Sequence, residues 1–165
     1  VYGALCVALS FMLSYIKLFS LPMGGSLTLC SMLPIAAYAC AFRPLYGFVA
    51  GLSFGMLQLI QDFYVIHWAQ LLLDYFFAFA CYGIAAYFPN KLTLGIAVAG
   101  LCRMLCSTLS GGIFFADSAV DAGWSNAWLY SLAYNGSTIG AETVLCVLVS
   151  LLPPVKKVLG LMKSE

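Results

Sequence analysis

The chain has 165 residues, 64% of them hydrophobic and 8% charged, against about 25% charged in a soluble domain; with a mean hydropathy of +1.01 it reads as a membrane protein. Seven Lys plus Arg against six Asp plus Glu give no basis for nucleic acid or an acidic partner. At about 20 residues per span the length admits at most six or seven helices and no soluble domain besides, so any energy source or catalytic module must lie on another chain.

Six apolar segments can be drawn, at 2–18, 29–42, 45–61, 68–88, 92–115 and 127–152, and backbone groups in hydrocarbon require them to be helices. The expected architecture is therefore all-α, a bundle of six transmembrane helices forming one integral membrane domain over residues 1–165. The chain opens on Val1, and the expectation is that its natural start lies further upstream. The first run lacks a basic leader and a small-residue cleavage site and is expected to be a true span. Turn chemistry separates the segments: LPMGGS at 21–26, Arg43-Pro44, FPNK at 88–91 and PPVKK at 153–157. The second segment is short and is expected to be partial or tilted. Arg43, Lys91, Lys156, Lys157 and Lys163 fall in loops on one side and only Lys17 on the other, so both termini are expected in the cytoplasm. Asp62, Asp117 and Asp121 fall on the outer side.

The opening segment carries Ala4 and Ala8 one turn apart, a small-residue spacing that suits internal packing or close approach of another helix. Asp74 lies about two turns into the fourth segment, and a carboxylate inside a span is a functional-site candidate. Helical spacing puts Gln70, Phe77 and Ala78 on its face beside Tyr75, with Tyr64 above in the 62–67 break. A negative charge ringed by aromatic and amide groups suits a flat, nitrogen-rich or cationic ligand. Arg103 and Glu142 fall at similar depth in adjacent antiparallel segments, which predicts a structural ion pair. His67 reads as an interfacial histidine or a helix cap. The stretch GWSNAWLYSLAYNGS at 123–137 supplies Trp124, Trp128, Tyr130 and Tyr134, an interfacial aromatic belt in part, together with Asn135, an amide that needs a partner in protein or ligand. Seven scattered cysteines without a CxxC pair and a single histidine predict free thiols and no metal site, and no cofactor is expected.

Taken together, LPMGGSLTL, AFRPLYG, GLSFGMLQLIQD, HWAQLLLDY, LSGGIFFA and WLYSLAYNGS resemble, in order and over nearly the whole chain, the thiamine-specific S components of energy-coupling factor (ECF) transporters, the ThiT/YuaJ group. The resemblance implies a six-helix protein of a prokaryotic plasma membrane that binds thiamine near the outer surface. It also implies a transmembrane coupling subunit and two ATPase subunits as partners, in keeping with the lack of a GxxxxGK[ST] loop here. It gives Asp74 the role of holding the aminopyrimidine, with Tyr75, Gln70 and Tyr64 beside it, Tyr130 and Asn135 as the pair on the last helix, Trp124 or Trp128 as a ring packed on thiamine, and Ala4 and Ala8 as the docking patch. Two positions depart from the family: Ser107 stands where a histidine is frequent, and Phe115 where some members have tryptophan. The first loop has Met23-Gly24-Gly25 where some members carry tryptophan. A related pyrimidine precursor or other vitamin is the alternative substrate, and a stand-alone secondary transporter the alternative mechanism. An intramembrane enzyme is disfavoured because no nucleophile–base pair stands at recognisable spacing.

Overall fold

The computed structural model describes residues 1–21 and 25–164; the turn residues Pro22, Met23 and Gly24 lie outside the described residues. The main elements are α1 (Tyr2–Ser14), the strands β1 (Lys17–Ser20) and β2 (Ser26–Thr28), α2 (Leu33–Ala41) and α3 (Pro44–Gln61). They continue with α4 (Trp68–Tyr87), α5 (Leu92–Phe114), the short α6 (Ala116–Asp121), α7 (Ala127–Ser150) and α8 (Pro153–Lys163).

Among the described residues three helices, α4, α5 and α7, are long and apolar enough to cross a membrane, and α1 is apolar but only 13 residues long. The expected second span is reduced to the nine residues of α2, about 14 Å at 1.5 Å per residue. It is too short to cross, and its Ile35, Ala36 and Ala39 are fully buried in the bundle. The tail of the first apolar run is not helical. It forms β1, which pairs antiparallel with β2 in the register Lys17↔Thr28 and Ser20↔Ser26. Turn chemistry between two β-compatible runs overrode the apolar pattern there.

The helices α1, α2, α3, α4, α5 and α7 alternate in direction. The start of α1 meets the end of α2 through Tyr2 and Phe42, whose rings lie 6.1 Å apart. The end of α1 meets the end of α3, where the Ser14 hydroxyl donates to Gln61 at 2.7 Å. The start of α5 meets the end of α7 at Thr93 and Ser150, 3.2 Å apart. The hairpin, the 62–67 break and α6 therefore share one end of the bundle, and the chain ends and α8 share the other.

Glycine lets α3 and α4 touch backbone to backbone. A Cβ at Gly55 would lie 1.9 Å from the Tyr75 carbonyl oxygen, and one at Gly51 would lie 2.4 Å from that of Phe79. This contact seats the stretch of α4 that carries Asp74 and Tyr75. Gly55→Val should force the helices apart and lower stability by at least about 1–3 kcal/mol, read as a fall in the thermal unfolding midpoint of the detergent-solubilised protein.

Candidate functional site

A cavity of about 160 Å³ lies between α3, α4, α5, α7 and the hairpin, and Asp74, Tyr75, Gln70, Tyr64, Ser107, Phe115, Tyr130 and Asn135 all line it. Residues that are up to 71 positions apart in the sequence thus converge on one site. Trp124 and Trp128 do not line it. Trp124 sits edge-on to Tyr130 with ring centroids 6.0 Å apart. Trp128 packs over Gly112, where an added Cβ would meet its ring at 2.3 Å.

Asp74 is oriented by its neighbours. Gln70 Nε2 and Ser110 Oγ each donate to its Oδ2 at 2.8 Å, and Ser107 stands beside the carboxylate as well. Gln70 is itself locked. Its Nε2 also donates to the Tyr64 carbonyl at 3.3 Å, and its Oε1 accepts from the Ile66 amide at 3.4 Å. The Tyr75 hydroxyl donates to the Asp62 carbonyl at 2.6 Å and accepts from the Tyr64 amide at 3.3 Å. The irregular 62–67 segment is thereby tied to α4, with His67 capping the helix by accepting from the Ala69 amide at 3.1 Å.

The α4 face differs from the one that regular helical spacing predicts. Asp74 lies in a π-helical turn, Leu72–Phe77, where i→i+5 bonding widens the helix. Five residues on, Phe79 lines the cavity, whereas Phe77 is 59% exposed on the outside and Ala78 is buried in packing. A second π-helical turn, Gly136–Gly140, follows Asn135 in α7. Asn135 is buried, and its Nδ2 donates to the Ser131 carbonyl at 2.9 Å. Ser131 in turn donates to the Thr108 carbonyl at 2.9 Å, which joins α7 to α5.

At the rim Tyr64 stacks on Phe115, with centroids 5.8 Å apart and planes inclined by 21°. Across the cavity the Tyr134 hydroxyl accepts from the Gly25 amide at 2.8 Å, which pins the hairpin against α7. An exposed pair, Lys17 to Asp62 at 2.8 Å, ties the other side of the hairpin to the end of α3.

Arg103 and Glu142 close the deep end. The guanidinium approaches Glu142 Oε2 at 3.6 Å, donates to the Tyr82 hydroxyl and lies 4.4 Å from the Phe79 ring centroid. Glu142 Oε1 accepts from the Ser31 amide at 2.9 Å, from the Ser31 hydroxyl at 2.7 Å, and from Thr28. Cys30 adopts φ 56° between them, an uncommon left-handed conformation for a non-glycine residue that turns the backbone towards the carboxylate. Sequence reading missed Ser110, Thr28 and Ser31, and gave Tyr134 only as part of the interfacial aromatic stretch. Ser110 had a usable signal, since 103, 107 and 110 share a face of α5; Thr28 and Ser31 had none, because their partner is more than 110 residues away.

Among the described residues no His, Cys, Asp and Glu set could hold a metal ion. A half-buried carboxylate braced on one oxygen, ringed by tyrosines and amides inside an apolar helix bundle, defines a membrane protein built to bind a small molecule. The sequence profile of the thiamine transporter protein family (Thia_YuaJ) matches residues 1–161. The thiamine transporter ThiT of Bacillus subtilis is 30% identical over 147 residues, covering 79% of this chain and 75% of that protein. A solved structure of ThiT from Listeria monocytogenes superposes with a TM-score of 0.79 at 20% identity, covering 99% of this chain and 92% of that one. The chain belongs to the thiamine transporter protein family and is a membrane transport protein.

Truncating Glu142 would strand Arg103 in the bundle. Glu142→Ala should cost about 3–5 kcal/mol of stability, as for a broken buried pair. Lys17→Met at the exposed pair should cost less than about 1 kcal/mol, and thermal unfolding of both variants in one detergent would measure the contrast.

Proposed function

We propose that this protein is the thiamine-binding S component of an ECF-type importer. It captures thiamine at the outer face of a prokaryotic plasma membrane and works with a coupling subunit and two ATPase subunits. The observation that carries the reading is the Asp74 carboxylate, held by Gln70 and Ser110 on one oxygen inside an aromatic-rimmed cavity, in a chain of the thiamine transporter family.

In this reading Asp74 accepts hydrogen bonds from the aminopyrimidine, and bonds to a charged acceptor are stronger than neutral ones. Tyr75, Tyr130 and Phe115 flank the rings, with Tyr64 stacked behind Phe115. Asn135 and Ser107 offer polar contacts beside them. Trp124 acts on the ligand through Tyr130, and Trp128 serves the α5–α7 packing. The hairpin is the lid, with the Gly25 contact to Tyr134 as its catch. No bond of the substrate is made or broken.

The same reading places both termini in the cytoplasm, with six bundle helices in the membrane. The basic loop residues Arg43, Lys91, Lys156, Lys157 and Lys163 gather at the end of the bundle opposite the cavity, as the positive-inside rule requires of a cytoplasmic end. Ala4 and Ala8 are exposed along a groove that also includes Gly3, Val7 and Val49. A small-residue face of this kind allows a partner helix to approach closely and is assigned to the coupling subunit.

Two substitutions test the two halves of the proposal. Asp74→Asn should weaken thiamine binding by about 2–5 kcal/mol, read by titrating intrinsic tryptophan fluorescence of the purified protein; wild-type affinity in that variant would remove Asp74 from the site. Ala8→Trp should abolish uptake by the assembled transporter while thiamine binding to the isolated protein persists. Unimpaired uptake would take the docking surface elsewhere.

A further inference from the structure

The C-terminal helix α8 plays no part in the cavity, yet it is the most strongly two-faced element of the chain. Two prolines break it from α7. Leu152 is extended, and Pro153 opens the new helix, so α8 does not continue the line of the span. Val155 and Leu159 pack on the core and Met162 is 6% exposed. These three positions, i, i+4 and i+7, bury one stripe along the whole helix. At its far end Lys163 donates to the Pro89 carbonyl, in the loop that precedes α5. A helix that projected away from the bundle could make neither contact, so α8 lies flat across the end of the bundle.

The opposite face is unusual for a helix end in water. Lys156 and Lys157 are exposed, and after them so are Val158 (54%) and Leu161 (60%). The spans on either side of this end, α5 and α7, begin and finish here, so the face lies at the level of the membrane surface. A helix lying in that plane, with lysines beside apolar side chains, matches the chemistry of a headgroup layer: ammonium groups meet phosphates while apolar side chains enter the acyl boundary. Charge supports an anionic occupant. Arg43 and Lys91 lie at the same end, and among the described residues no acidic residue lies there.

We propose that the outer face of α8 is an interfacial surface that binds anionic phospholipid headgroups through Lys156 and Lys157, with Val158 and Leu161 inserted beside them. The partner is a lipid surface, and the lysines select its charge.

Native mass spectrometry of the full-length protein with phosphatidylglycerol and with phosphatidylcholine reads this directly. Wild type should retain phosphatidylglycerol preferentially. Lys156→Gln/Lys157→Gln should weaken that retention by about fivefold per lysine, leaving phosphatidylcholine retention and the unfolding midpoint in phosphatidylcholine unchanged. The wild-type preference should also fade at high salt, as screened charges do, which keeps the test decisive if the double variant does not fold. Equal retention of the two lipids by wild type, or a preference that the double variant or high salt leaves intact, would overturn the proposal. So would unchanged lipid retention combined with lost uptake by the variant in a phosphatidylcholine membrane, because that outcome assigns the basic face to a protein partner.

Discussion

A carboxylate enclosed by an apolar helix bundle must collect donors, because an unpaired buried charge is prohibitively costly, and Glu142 collects them from three separate elements. Thr28 and Ser31 come from the hairpin and the turn after it, and Arg103 comes from α5. Arg103 passes the constraint on to α4 through Tyr82 and Phe79. One side chain in the middle of α7 therefore fixes where the hairpin base sits and how α4 and α5 face each other. The cavity walls follow from that arrangement.

Asp74 obeys the same rule with a different outcome. Gln70 and Ser110 both donate to a single oxygen of it, and the carboxylate lines a cavity instead of closing an ion pair. Glu142 is consumed by the protein's own donors and acts as a structural junction. Asp74 is positioned by the uncharged donors Gln70 and Ser110, which orient the carboxylate towards the cavity, and in the proposed reading it is the group that meets the ligand. The two carboxylates thus differ in their direct partners: Glu142 approaches Arg103 at 3.6 Å, and Asp74 is hydrogen-bonded by an amide and a hydroxyl.

The two ends of the bundle divide the remaining chemistry. The hairpin end holds Tyr64, Phe115, Tyr134 and the 62–67 segment, irregular backbone to which Tyr75 and Gln70 hydrogen-bond. Irregular chain beside a span is tolerated where protein groups or a cavity satisfy it. The opposite end holds Pro153, Pro154, Lys156, Lys157 and Lys163 on α8, whose outer face is the one proposed to meet headgroups.

Composition and hydropathy alone determined that this is a helical membrane protein, because an 8% charged chain has too little polar surface to face water. Single charges in apolar runs were legible for the same reason, and Asp74, Arg103 and Glu142 stand out in the sequence without any alignment. Tertiary structure decided what local pattern could not carry. The first apolar run leaves the helix at Tyr15, and pairing with β2 made Lys17–Ser20 strand. The π-helical turn at Leu72–Phe77 shifted the cavity face of α4 from Phe77 to Phe79, a displacement that 3.6-residue periodicity cannot anticipate. Ser31 and Glu142 are 111 positions apart, and only chain folding brings a backbone amide to that carboxylate. Periodicity reports what a segment does against an average neighbour; the site depends on which particular neighbour arrives.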